Sequence, residues 1–370
     1  MRCVKPLFLA STILTASLTA AKADVNVVAS IKPVHSLVAA VMQGVGEPSL
    51  IVEGAGSPHN YSLKPSQAET LEKADVVFWI GRDLEAFLEK PLETIAANAK
   101  TVALIDAHDL TKLKFREGGA FDAHGHEEEG HDNHDDHGHD DHGHKEHKKD
   151  KDHDDHGHDD HGHEKKAEAG HDDHGHDDHG HKKEKTGHEG HDHAEHGEFD
   201  PHIWLDPINA KALVHEIEEV LSKADPKNAE KYEANAEAVE AKMDALVSEL
   251  SAELKSVHGK GFIVFHDAYQ YFEKRFDITA AGSITISPEI SPGVERISEI
   301  KKKVQELGAT CVFAEPQFEP KLVATVIEGT QAKSGIIDPL GVAIDAGVDH
   351  YPKLIRTMAG SLKTCLSGSN

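Results

Sequence analysis

From residue 25 onward the chain alternates short runs of apolar, often β-branched residues with stretches whose apolar positions recur every three or four residues. The runs at 25–31, 50–53, 75–80 and 101–105 read as strands. Between them, 33–42, 65–73 and 83–97 read as helices, the first through Val34, Leu37, Val38 and Val41. Such alternation predicts a parallel sheet covered by helices on both faces. Residues 208–221 add an amphipathic helix, and the pattern then changes. Over 226–257 a single stripe of Tyr232, Ala236, Val239, Met243, Leu246, Leu250, Leu254 and Val257 predicts one long helix, with Asp225 as N-cap and Pro226 at its first position. At the helical rise this element would run roughly 45 Å, long enough to act as a rigid spine along two domains.

Beyond the spine the α/β pattern resumes, with strands at 261–265, 278–282, 311–313 and 335–337 and helices at 294–307, 320–332 and 351–362. The expected fold class is α/β, with two lobes, each a parallel-type sheet flanked by helices, joined by one long spine helix. The lobes fall at 24–225 and 258–370, and 226–257 connects them. Open parallel sheets present ligands at the carboxyl ends of their strands, so a cleft between the lobes is the expected site.

Two segments lie outside this pattern. Residues 1–23 combine a basic start, an apolar stretch too short to span a membrane and the small-x-small sequence Ala21-Lys22-Ala23, which together read as a secretory signal cleaved after Ala23. Cys3 precedes the apolar stretch and leaves with it, which predicts an exported, periplasmic protein without direct membrane insertion. The second segment, 124–196, holds 23 of the 31 histidines and repeats HDDHGHDDHGH from His134, His153 and His171. With almost no apolar residues it cannot offset the entropy of ordering its backbone, so a disordered His/Asp-rich insertion in the first lobe is expected.

That insertion carries 25 acids and 9 lysines, a contribution of −16 to the formal charge of −27, and leaves the remainder only moderately acidic. No basic face remains for nucleic acid or an anionic membrane surface. Removal of Cys3 leaves Cys311 and Cys365, an even pair in an oxidising compartment, which predicts a disulfide.

Imidazole is the commonest side-chain ligand for borderline transition metals, and four acid or imidazole positions stand where predicted strands or a motif end. His59 follows the run at 50–53, His202 follows the insertion, His266 ends 262–265, and Asp338 ends 335–337. Each position taken singly is also compatible with a core or capping role. Asp200 and Asp267 could hold imidazole rings in place or cap helices, and Asp206 before Pro207 reads as a helix cap. His35, His108, His215, His258 and His350 read as structural or solvated. Neither an HExxH helix nor a G-x-S-x-G elbow is present, which argues against a zinc hydrolase.

The segments SPHNYSLKPSQ at 57–67, DPHIWLDP at 200–207, FHDAYQYF at 265–272 and IDPLG at 337–341 resemble, in order and spacing, the cluster A-I solute-binding proteins of bacterial ABC importers. The resemblance covers the whole mature chain. Within that family it is closest in character to the zinc-specific ZnuA type, which also carries a His- and Asp-rich loop before the second motif. The resemblance implies metal ligands at His59, His202 and His266, with Asp338 at the position of a carboxylate that ligates in many relatives. Some zinc-specific relatives have an acid just before the first histidine. Here that place is Pro58, which leaves Asp338 or water as fourth donor. Manganese-binding relatives offer two histidines and two carboxylates, so a third imidazole at His266 favours tetrahedral Zn2+ over manganese, while nickel and cobalt remain open in vitro.

The resemblance therefore implies a non-enzymatic, monomeric periplasmic protein that captures zinc between its lobes and delivers it to an ABC permease in the inner membrane. The spine should restrict domain movement, and the insertion should collect or buffer further ions more weakly. The alternatives are a periplasmic metal storage, buffering or adhesion protein, distinguished by function without a permease, and an importer component for another divalent metal such as manganese or nickel.

Overall fold

The computed structural model describes residues 25–116, 197–285, 287–288, 291–306, 308 and 311–368. The expected signal at 1–23 and the expected insertion at 124–196 lie outside the described residues.

The first half builds β1 (Val27–Ala29), α1 (Lys32–Val41), β2 (Ser49–Leu50), α2 (Pro65–Glu72), β3 (Val76–Trp79), α3 (Ala86–Thr94) and β4 (Lys100–Ala103). Its strands form a parallel sheet in the order β2-β1-β3-β4. Runs such as Val27-Val28-Ala29 are buried at every position, as expected of a strand covered on both faces. After 197 come a 3-10 turn at Ile203–Leu205, α4 (Pro207–Ala224) and α5 (Ala229–Leu254). Asp206 caps α4 as expected, accepting from Ile208 N at 2.8 Å.

The spine helix is shorter than its sequence pattern. Single 3-10 turns, Pro226–Asn228 and Lys255–Val257, flank α5, so the span of 226–257 is three consecutive pieces. The predicted stripe is nevertheless the buried one, from Tyr232 through Leu254 to Val257. The Asp225 side chain does not cap the backbone, because its carboxylate accepts from Asn228 Nδ2 at 2.6 Å and from the Tyr232 hydroxyl at 3.0 Å.

The second half builds β5 (Phe262–His266), α6 (Gln270–Phe276), β6 (Gly282–Thr285), α7 (Val294–Glu306), β7 (Cys311–Ala314), α8 (Lys321–Ile327), β8 (Lys333–Ile336) and α9 (His350–Leu366). Its strands form a second parallel sheet in the order β6-β5-β7-β8. One expectation is corrected here, and one element is new. The strand expected at 278–282 starts only at Gly282, because Ile278 and Ala280 pack into the core as the connection from α6. The short helix α6 was not expected at all.

Period-two alternation divides this sheet between two cores. Phe262, Val264, Cys311 and Phe313 join the main core shared with the first half of the chain, whereas Ile263, Phe265 and Val312 pack with Ile300 and Val304 of α7 and Val323 and Val326 of α8. His266 continues the sequence Phe262, Val264 and so belongs to the face turned toward the main core. The final helix, α9, packs on α1 and α5 as well as on β8. The disulfide Cys311–Cys365 forms as predicted and staples α9 to β7. Among the described residues no helix is long and apolar enough to cross a membrane.

Candidate metal centre

Three of the four expected positions come together. His59 stands on the connection from β2 to α2, His202 immediately precedes the 3-10 turn, and His266 is the last residue of β5. Their ring centroids are 5.4 Å (His59 to His202), 5.6 Å (His59 to His266) and 5.2 Å (His202 to His266) apart. One nitrogen from each lies within 4.8 Å of the others, which makes this the group among the described residues that could hold a metal ion. His202 and His266 are buried, and His59 is half-buried.

Buried carboxylates set the direction of two of the rings. Asp200 Oδ1 lies 2.6 Å from His202 Nδ1 and also accepts from His202 N at 3.0 Å. Glu315 Oε1 lies 2.7 Å from His266 Nδ1. With each Nδ1 engaged, the two Nε2 atoms face each other at 3.3 Å. Two lone pairs at that distance repel unless a proton or a cation lies between them. The edge of a nitrogen tetrahedron with Zn–N bonds of about 2.0–2.1 Å is about 3.3–3.4 Å, the same spacing.

Burial and charge shift the groups around the pocket. Burial, and then the charge of His266, hold His202 well below the usual imidazole range. Burial pulls His266 down as well, but the charge and hydrogen bond of Glu315 outweigh it and the net shift is upward. Burial raises Asp200 to about 7 against the hydrogen bonds from His202 N and Gln270. Burial, then the Glu315 charge, pushes the Tyr269 phenol well above its ordinary value.

Asp338 is not brought to the group. Its Oδ1 accepts from Gln317 Nε2 at 2.8 Å and from Leu340 N and Gly341 N at 3.0 Å, and its Oδ2 accepts from Val342 N at 2.6 Å. The carboxylate thus closes its own turn. Gly341 permits that turn with φ of 65°, where a Cβ would also lie 2.8 Å from the His350 ring. The pocket is instead walled by Pro58, Trp204, Phe318, Pro339 and Leu340, with Glu315 and Gln317 at its polar side. The cavity is small, with about 10 Å³ open to the centre of a water-sized sphere.

Asp200 behaves as the sequence suggested, but Asp267 does not. The alternation that turns His266 inward turns Asp267 away, where Arg116 Nε donates to its Oδ1 and Oδ2 at 3.0 and 2.9 Å. The same guanidinium binds Glu273 through Nη1 and Nη2 at 2.8 and 2.9 Å. The partner of His266 is Glu315, which sequence reasoning missed. The parallel register of β5 and β7 pairs Phe262 with Cys311 and Ile263 with Val312, and its continuation sets Glu315 beside His266. Also missed was Gln270 of α6, whose Nε2 donates to Asp200 Oδ2 at 2.7 Å and to Lys114 O at 3.1 Å. Of the remaining histidines, His350 and His35 are structural, each with Nε2 beside a backbone carbonyl, of Leu340 at 2.9 Å and of Pro48 at 3.0 Å.

A sequence model of the family described as zinc-uptake complex component A, periplasmic, matches residues 27–365. The high-affinity zinc uptake system protein ZnuA of Brucella suis biovar 1 is 53% identical over 369 residues, covering 99% of this chain and 100% of that protein. The protein of the same name from Yersinia pestis is 34% identical over 344 residues, covering 93% and 92% of the two chains. A solved structure described as the crystal structure of ZnuA aligns with a TM-score of 0.64 at 19% identity, over 93% of this chain and 100% of that one, and shares the fold. Proteins of this family are transport components, not enzymes. The match over nearly the whole chain places it in the family of periplasmic ZnuA-type zinc-uptake components.

Proposed function

We propose that this protein, as a monomer in the periplasm, captures Zn2+ between its two lobes and delivers it to an ABC permease of the inner membrane. His59 and His202 from the first lobe and His266 from the second are the ligands in this reading, and water is the fourth donor in place of Asp338. The observation that carries the reading is the approach of His202 Nε2 and His266 Nε2 to 3.3 Å while a buried carboxylate engages each Nδ1. That arrangement presents unprotonated nitrogens at a zinc spacing and supplies two negative charges behind neutral ligands. Three imidazoles suit four-coordinate zinc better than manganese, which favours more oxygen donors.

Competitive zinc titration of the mature protein lacking 124–196, with and without His202→Ala, tests this. One tight site, lost with His202, is expected. No tight site in the truncated protein would transfer the binding function to the histidine-rich tract and overturn the reading.

A further inference from the structure

Three imidazoles leave a tetrahedral ion one donor short, and Gln317 stands between the pocket and Asp338, the acid expected to fill that place. Its Nε2 donates to Asp338 Oδ1 at 2.8 Å. Asp338 is itself immobilised by the N–H groups of Leu340, Gly341 and Val342. An amide whose NH2 end is committed to a carboxylate has its assignment fixed, with the oxygen at the other end. Gln317 lines the same pocket as the three imidazoles, and its Oε1 is buried and accepts no hydrogen bond among the described residues. A buried acceptor without a donor is unfavourable, so this geometry calls for a donor inside the pocket. Water held by a dication is such a donor, because the ion draws electron density from its O–H bonds.

Resting on the zinc reading of the pocket, we propose that Gln317 is a positioning residue of the site: tethered to Asp338, it accepts a hydrogen bond from the water that completes the shell of the ion. Asp338 then acts on the metal through Gln317 and is not a ligand. Glu315 lines the same pocket and holds the His266 ring, its Oε1 lying 2.7 Å from Nδ1.

The test loads the mature protein with cobalt(II) and compares the wild type, Gln317→Leu and Asp338→Asn. In the wild type, the electron paramagnetic resonance signal should broaden in oxygen-17-enriched water, which marks a bound water. Gln317→Leu should shift the cobalt optical spectrum and weaken zinc binding in a competition titration about tenfold. Asp338→Asn keeps an Oδ1 acceptor for Gln317 and should weaken it less than about threefold. The proposal is overturned if the wild-type signal does not broaden, or if Gln317→Leu matches the wild type in spectrum and affinity. It is also overturned if the ranking of the two variants reverses, since that would make Asp338 the ligand. A wild type without any tight cobalt or zinc site would overturn the zinc reading itself, a result distinct from each of these.

Discussion

On the proposed zinc reading, in which His266 is a ligand, Glu315→Gln separates metal affinity from stability. Glu315 and His266 have side-chain exposures of 0% and 4% and meet at 2.7 Å, so the carboxylate charge acts on the imidazole with little screening by water. Glutamine keeps an oxygen for the Nδ1 proton and holds the ring in place, so only the charge behind the ligand is lost. Partners of ligating imidazoles contribute about 10–100-fold to metal affinity, and a shape-conserving change belongs at the low end, about tenfold or ~1.4 kcal/mol. Glu315→Leu removes the acceptor as well and should approach a hundredfold loss. In the metal-free protein the sign reverses, because a wholly buried carboxylate carries a desolvation cost that a neutral glutamine relieves. Competitive zinc titration and urea unfolding of metal-free protein measure the two quantities. The reasoning is refuted if Glu315→Gln binds zinc as tightly as the wild type. It is equally refuted if the metal-free variant loses stability in step with affinity, since Glu315 would then be only a structural bond.

Burial raises Glu85, wholly enclosed, from 4.5 to about 7. Because the folded state keeps its proton up to the higher pH, Glu85 favours folding below about pH 4.5, and that contribution of about 3 kcal/mol is lost as pH rises to 7. The difference in unfolding free energy between the wild type and Glu85→Gln across this window should show that slope, and a flat difference would refute it. Arg116→Leu leaves Asp267 and Glu273 buried without their cation and should destabilise the fold by about 3–5 kcal/mol in urea unfolding, where less than 1 kcal/mol would refute a role for the cluster. Replacing Cys311 and Cys365 by serine opens a loop closed across a sequence separation of 54 and should lower stability by about 4 kcal/mol, against no change if the bond does not form in solution.

The sequence disclosed the histidines more readily than the acids around them. His59, His202 and His266 each follow a strand run or open a motif, and the alternation Phe262, Val264, His266 already gave the direction of the third. An acid after a strand has two outcomes that look alike in one dimension: it reaches into the cleft, or it closes its own turn. Asp338 took the second because the chain turns tightly after it and the N–H groups of Leu340, Gly341 and Val342 hold its carboxylate. Glu315 lay in plain view after the run at 311–313, but its partnership depends on which strand neighbours β5, a fact of topology that hydropathy does not carry. Arg116 was hidden differently, at the border of the charge-rich tract and 151 residues from Asp267. The spine stripe was legible because burial repeats along one helix. The 3-10 turns at its ends were not, because they change hydrogen bonding without changing which residues are apolar.

The bonds that tie the two halves of the chain also constrain how an ion could leave the proposed site. Lys32 of α1 donates to the carbonyls of Val342 and Ile344 at 2.8 and 3.0 Å, and Trp204 Nε1 donates to Pro339 O at 2.9 Å. Tyr351 N donates to Ser36 Oγ at 2.9 Å, the Tyr351 hydroxyl to Trp204 O at 2.7 Å, and Arg275 clamps Asp206 with bonds of 2.7 and 2.8 Å. If each contributes about 1 kcal/mol, and the charged ones more, a rigid separation of the halves would break several at once and expose the core they share. Such an opened state would be populated well below one part in a thousand at that sum. The connection carrying His59 is constrained differently: its ring is half-buried, and the brace nearest to it in sequence is Tyr61, packed on Phe87 at 5.2 Å and bonded to Gln67 at 2.9 Å. Asp200 and Glu315 hold the other two imidazoles of the proposed triangle in place. On the proposed function, a permease that parts the two halves has to offset that sum of bonds as well as the metal–ligand bonds.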